Sequence, residues 1–286
     1  MAVNYASQYA KAVDERFYQV SQAAMALNNR YTFTGVKTVN VYSIPTVALN
    51  NYTRSGSNRY GTPSELENSV QELTVTQDKS FTFTIDRANR AQTMMTMDAG
   101  AALEREIREV VVPAYDTYVF KKLAEAAIAN GQTASTTVTK ANAYEQFLAA
   151  QEALGDASVP DSGRVCFCSY KFANFLKQDP AFMIASEKAR SQVEKGYIGT
   201  VDGVKVVQVP KSHLPTKTAS GSTVYCCDFI LTHPVAAAAP KQLEDYKIHD
   251  NPPGISGWLV EGRMLFDCFV LNSKKSAIYY HGAALT

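Results

Sequence analysis

The sequence predicts an α+β fold in which a compact αβ domain is inserted into a platform of one long helix and several strands, with an arm and a β ribbon projecting from it. Three observations predict this. Leu73, Val75, Phe81, Phe83 and Ile85 alternate strictly with Thr74, Thr76, Ser80, Thr82 and Thr84, the period-two pattern of a half-buried strand. Residues 98–130 carry the longest helical pattern of the chain. From residue 139 short helical and strand patterns alternate, and strands alone return near residue 242.

The elements follow in order. Residues 5–27 read as a helix, with Tyr9, Val13, Phe17, Val20, Ala24 and Leu27 at three- and four-residue steps. Its single apolar stripe must lie against something, and the Asn28-Asn29 pair ends it. The ribbon spans residues 38–86. Its outgoing strand, 38–44, has Val39 and Val41 on one face and Tyr42 and Ile44 on the other, and the alternating segment above returns as its partner. Residues 50–69 between them consist largely of Asn, Arg, Ser, Gly, Thr, Pro and Glu, too polar to bury the apolar surface that ordering requires. An isolated two-stranded ribbon is marginal in water, so this one is expected to dock on another molecule.

In the long helix Asp98 suits the N-cap and Asn130-Gly131 the C-terminal stop, giving a length of roughly 45–50 Å. Glu104 with Arg108, and Arg105 with Glu109, are opposite charges four apart. Pro113 deletes the bond to the Glu109 carbonyl, so a kink or break is expected there. Lys121 and Lys122 are expected to suit the negative end of the helix dipole. The inserted domain then reads as a helix at 141–154 stopped by Gly155, a strand at 165–168, a helix at 170–177, a polar helical stretch at 186–194, and strands at 204–209 and 224–231. Strands at 242–248, 258–271 and 277–280, with Pro252-Pro253-Gly254 as a loop, rejoin the platform.

Composition narrows the chemistry. Among 286 residues, 28 Lys and Arg face 27 Asp and Glu, for a formal charge of +1. That leaves no basic excess to grip a phosphate backbone and no overall attraction to anionic membranes. No export signal is visible near the N-terminus, and no stretch approaches eighteen uninterrupted apolar residues. The five cysteines, Cys166, Cys168, Cys226, Cys227 and Cys268, sit in apolar strand-like runs without the two-residue spacer of zinc or redox pairs. They read as small hydrophobes. The glycines Gly196, Gly199 and Gly203 lack phosphate-loop spacing. His213, His233, His249 and His281 are scattered. A nucleophilic pair such as Cys226 with His233 would need a lowered thiol pKa and an orienting third group. No catalytic residue, cofactor or metal site is expected. The polar segment instead offers Asn51, Tyr52, Arg54, Arg59 and Tyr60 at its tip. Arg and Tyr are enriched where proteins dock; interleaved, they also stack on single-stranded bases, or they serve only to solubilise a loop.

In this order the pieces resemble the major capsid protein of tailed bacteriophages, the Hong Kong 97-like fold. The resemblance covers nearly the whole chain. It is carried by Val36-Lys37-Thr38-Val39 through Tyr42-Ser43-Ile44-Pro45, by Asn51-Tyr52-Thr53-Arg54-Ser55-Gly56, and by Ser80-Phe81-Thr82-Phe83-Thr84-Ile85-Asp86. Gly203-Val204-Lys205-Val206-Val207-Gln208-Val209-Pro210 with Leu214-Pro215, Trp258-Leu259-Val260-Glu261-Gly262-Arg263, and Asp267-Cys268-Phe269-Val270-Leu271 add to it.

The resemblance implies an N-terminal arm (1–35), an extended loop reaching over a neighbour (36–86), a spine helix with the first part of a peripheral domain (87–138), an axial domain (139–234), and closing peripheral strands (235–286). It implies self-assembly as hexamers and pentamers into an icosahedral shell around double-stranded DNA, in a virion assembled in the bacterial cytoplasm. Pro113 would offer a bend able to change as the shell expands. Some relatives carry a long helical N-terminal scaffold or lock the shell with a lysine–asparagine bond. Here about thirty residues precede the ribbon, and no lysine lies between Lys37 and Lys79. A separate scaffolding protein, a portal, no maturation cleavage and no crosslink are therefore expected, with DNA contacted weakly. Two other readings stand beside it: a cellular nanocompartment shell of the same fold, and a Cys/His hydrolase or binding domain.

Overall fold

A computed structural model describes residues 21–28, 38–63, 65–92, 98–179, 199–219 and 222–285. After a 3₁₀ turn at Ala23–Ala26 come β1 (Thr38–Ser43), β2 (Ser69–Thr74), β3 (Gln77–Asp86), α1 (Arg87–Gln92) and α2 (Ala99–Glu106). A π-helical stretch, Ile107–Val111, leads into α3 (Val112–Ala129), followed by β4 (Thr133–Ala134), α4 (Ala143–Asp156), β5 (Val165–Ser169) and α5 (Tyr170–Gln178). The rest is strands: β6 (Thr200–Val201), β7 (Val204–Val209), β8 (Thr216–Ala219), β9 (Ser222–Tyr225), β10 (Cys227–Thr232), β11 (Ala237–Ala238), β12 (Lys241–Asp250), β13 (Gly257–Phe266), β14 (Phe269–Val270) and β15 (Ile278–Gly282).

The main core is a six-stranded sheet in the order β4-β15-β10-β5-β7-β6, covered on both faces. On one face Phe120 of α3 meets Phe167 at 5.1 Å; on the other Phe172 of α5 and Phe147 of α4 meet Phe229 at 4.6 and 6.5 Å. Two-sided burial is why β5 reads as an unbroken apolar run rather than an alternating one: all five of its residues are buried. The Asp202-Gly203 pair closes the β6–β7 hairpin with both residues at positive φ, 49° and 79°, the type I′ geometry that matches strand twist. A second, three-stranded sheet, β12-β13-β3, forms the platform.

Several expected boundaries move. The ribbon is not one long pair of strands. β1 pairs with β2 over six residues, Thr38↔Thr74 to Ser43↔Ser69, whereas β3 pairs with β13 in the platform. Alternation runs unbroken through residues 75 and 76 because both sheets bury the same side of the chain, so period alone hides the change of partner. The expected strand 224–231 is broken at Cys226, whose carbonyl accepts from the Ala283 N–H and the Tyr280 hydroxyl outside the ladder. The expected strand 258–271 ends at Phe266 and resumes briefly as β14. The closing strand does not join the platform: β15 sits inside the six-stranded sheet, between β4 and β10.

The long helix keeps its predicted ends. The Asp98 carboxylate accepts from the Gly100 and Ala101 N–H groups. At the other end the Gly131 and Gln132 N–H groups return to the Ile128 and Ala127 carbonyls, with Gly131 at φ +72°. That double closure is the glycine-capped stop the sequence suggests. Pro113 neither breaks the helix nor sits at a gap. The preceding turn widens instead, with the Val112 N–H reaching back five residues to the Ile107 carbonyl, which accommodates a residue that cannot donate. Gly155 does not stop α4; the helix runs to Asp156, and Ser158 takes the left-handed cap position at φ +58°. Lys121 and Lys122 lie short of the last turn, and both pair with Glu125. Glu104–Arg108 and Arg105–Glu109 form as expected. Of the helix expected at residues 5–27 only the end is described, and it is a 3₁₀ turn at Ala23–Ala26 with Leu27 already extended; residues 5–20 and the helical stretch expected at 186–194 lie outside the described residues.

Candidate assembly interface

The ribbon divides into a fastened root and an uncovered outer half. At the root Leu73 and Val75 are buried with Leu271, flanked by Val39, Val41, Leu265 and Phe269. The Gln71 side chain donates to the Val270 carbonyl at 3.0 Å and accepts from the Asn272 N–H at 2.9 Å. From Ser43 to Ser69 this support ends. Ile44 is 69 %, Val47 60 %, Leu49 101 % and Tyr60 84 % exposed. Single exposed apolar residues need no explanation, but a row of them on a projecting loop marks a contact surface.

The tip is more ordered than its composition suggests. The Thr53 N–H donates to the Arg59 carbonyl, the Arg59 Nε to the Gly56 carbonyl, and the Gly61 N–H to the Asn58 carbonyl. Gly56 and Gly61, at φ +90° and +92°, permit the reversal. Tyr52 and Tyr60 meet edge-to-face at 5.0 Å. The structure thus brings Tyr52, Arg59 and Tyr60 together, with Asn51 and Arg54 exposed beside them. Sequence reasoning missed Ile44, Val47 and Leu49. Their signal was present, an aliphatic residue every two or three positions after the strand.

The arm residues Tyr9, Val13, Phe17 and Val20 lie outside the described residues. Where the arm enters the body it is tied down. The Ser21 hydroxyl and the Gln22 N–H donate to the two oxygens of the buried Asp116 carboxylate at 2.6 and 3.0 Å. Asn28 bonds the carbonyls of Pro234, Val235 and Ala237. Ala23 and Ala26 are fully buried. His213 also faces Asp116, at 3.8 Å. Burial holds its imidazole below the usual value, and the Asp116 charge opposes that shift.

A groove of about 360 Å³ lies between the platform sheet and the spine helix, lined by Phe81, Tyr246 and Phe266 on one side and Val110, Ala114 and Tyr118 on the other. Gly262 forms part of its wall; a Cβ there would run into the rings of Phe81 and Tyr246. The π-helical stretch contributes Val110 and Val111 to its lining.

The pairing of Cys226 with His233 does not form. All five cysteines are free and buried. Burial pushes the Cys168 and Cys268 thiols up to about 12, and those of Cys166 and Cys227 well above the ordinary value, the reverse of what a nucleophile needs. Cys226 donates to the Pro215 carbonyl, while His233 engages the Ser162 carbonyl and the Val235 N–H, so the two do not form a pair. Among the described residues no cluster of His, Cys, Asp and Glu is suited to a metal, and no helix is long and apolar enough to cross a membrane.

No protein-family model and no curated protein matches the chain. Solved structures do. A structure from Mycobacterium phage Che8 aligns with a TM-score of 0.77 at 17 % identity over 96 % of each chain. The capsid structure of cyanophage P-SCSP1u aligns at 0.77 and 14 %, covering 99 % of this chain and 94 % of that one. The mature capsid of bacteriophage PhiM1 aligns at 0.72 and 11 %, over 98 % and 92 %. The chain therefore has the α+β fold of phage capsid structures along nearly its whole length.

Proposed function

We propose that this chain is a phage major capsid protein, which assembles with copies of itself as hexamers and pentamers into an icosahedral shell enclosing double-stranded DNA. The observation that carries the reading is the ribbon: its root is fastened to the body, while Ile44, Val47, Leu49 and Tyr60 stand uncovered beyond it. On a fold shared with phage capsids, a second copy is the partner that gives such a row its cover. The apolar groove beside the spine helix offers a matching surface on that copy. Many such contacts, each weak, add up because every subunit is held by several neighbours at once. In this reading residues 139–234, joined by the returning strand β15, serve as the axial domain, the spine helix and the strands of residues 235–270 as the peripheral one, and the ribbon and arm as the reaching parts. The +1 charge suits a lining that contacts packaged DNA weakly. The role is structural rather than catalytic, in keeping with cysteines that are free and buried. A separate scaffolding protein and a portal complete the assembly, in the host cytoplasm.

The test is to express the chain and examine it by sedimentation and electron microscopy, beside a variant in which residues 46–66 are replaced by a short Gly-Ser linker. Hexamers, pentamers or closed shells are expected from the natural chain and not from the variant. A natural chain that stays a monomer at high concentration, with or without a co-expressed scaffold, would overturn the reading.

A further inference from the structure

The hinge between ribbon and body is built around one carboxylate. Asp267 is 4 % exposed. One of its oxygens accepts from the Tyr118 hydroxyl and the Cys268 N–H, both at 2.7 Å. The other accepts from the Thr76 N–H at 2.9 Å and the Thr76 hydroxyl at 2.8 Å. A carboxylate offers about four acceptor sites, and here four donors from three parts of the chain fill them: the spine helix, the end of the platform strand, and the ribbon junction.

Position explains why this matters. Phe266↔Gln77 is the last rung between β13 and β3. The next residues on each strand are Asp267 and Thr76, and there the backbone ladder stops. The side chain of Asp267 takes over as acceptor for the Thr76 N–H, so the chain can leave the platform sheet without leaving that donor unpaired. Two residues earlier the same chain is β2, hydrogen-bonded to β1 instead. Thr76 is the elbow at which the chain passes from body to ribbon, and Asp267 ties that elbow to Tyr118 of α3.

We propose that Asp267 is a positioning residue for assembly: it fixes the direction in which the ribbon leaves the body, with Thr76 as the jointed element and Tyr118 as the fixed post. Gln71 and the Leu73–Val75–Leu271 cluster hold the ribbon's face. The consequence for shells rests on the capsid reading above; the fastening does not.

Hydrogen exchange on the full chain, before assembly, tests it. Asp267→Asn keeps the shape but presents an amide donor to two of the four donors. Exchange at residue 76 and in β2 should rise by about tenfold or more, while β5 and β10 keep their natural protection. Thr76→Val removes one hydroxyl and keeps the N–H, and it should raise exchange at the same amides by a smaller factor. The Asp267→Asn chain should give malformed shells or none under conditions where the natural chain forms them. Unchanged exchange in β2 in both variants would overturn the proposal. So would a rise spread evenly into β5 and β10, which would mark Asp267 as a general stabiliser. Should Asp267→Asn fail to fold, Thr76→Val decides by the same two outcomes. If the natural chain forms no shell, the capsid reading fails while the exchange result stands.

Discussion

Leu49 and Leu154 are the same side chain in opposite situations, and truncating each to alanine separates assembly from folding. Leu49 is fully exposed and Leu154 fully buried between α4 and its neighbours. Leu154→Ala removes packed methyl groups and leaves a cavity, at a cost of about 2–5 kcal/mol. In a chain of this size that lowers the melting temperature by at least about 3 °C. Leu49→Ala removes nothing from the isolated subunit, so its melting temperature should stay within about 1 °C of natural. If a neighbour covers Leu49, full burial is worth roughly 1.5–3 kcal/mol. Losing about 2 kcal/mol per contact raises the concentration needed for assembly roughly thirtyfold. Thermal unfolding of dilute protein and sedimentation over a concentration series give the two readouts. Leu49→Ala chains that assemble at the natural concentration would refute the reasoning, and a melting temperature lowered as far as in Leu154→Ala would show that Leu49 packs within its own chain.

Three further outcomes are expected. Burial lowers the His213 pKa in the folded chain, so as pH falls through the ordinary histidine value of about 6.5 the unfolded state takes up a proton that the native state resists. Stability should therefore be complete above that value and decline below it, and His213→Gln should flatten the change in urea midpoint between pH 7.5 and 5.5; an unaltered change would exclude His213 as its source. Alkylation at pH 8 should leave Cys166, Cys168, Cys227 and Cys268 unmodified in the folded chain and modify all four in denaturant, as mass spectrometry would report. Gly257 opens β13 at φ +152°, where a Cβ would overlap the Ile85 carbonyl oxygen; Gly257→Ala should cost about 2–3 kcal/mol, and an unchanged melting temperature would show that the strand end yields.

The elements easiest to read from sequence were those whose cause is local. The Asp98 cap and the Gly131 stop depend on side-chain and backbone geometry within a few residues, and both formed as their residues dictate. Val204–Val209 was legible to the residue. The polarity of the tip was legible too, although its closure by Tyr52 and Tyr60 was not. Elements misjudged were those whose cause is distant. Nothing local tells Val75 and Thr76 that the strand changes sheets, because Asp267, the residue that receives the chain there, lies about 190 positions away. Cys226 looks like mid-strand until Ala283 and Tyr280 claim its carbonyl. Pro113 predicts a fault in the helix, but whether the chain kinks, breaks or widens depends on how the neighbouring turn packs.

By itself the sequence determined the inventory: a long capped helix, a half-buried alternating strand, a polar loop unable to cover itself, and thiols placed among apolar neighbours. These follow from short-range sterics, periodicity and the cost of burying polar groups, all of which act between residues close in the chain. Only the tertiary structure decided the partners: that β15 returns to the middle of the six-stranded sheet, that the ribbon's return strand serves two sheets, and that one buried carboxylate joins them. Strand pairing is set by which distant surfaces can be buried together and which backbone groups still need a partner. A period of two is the same whichever strand lies alongside.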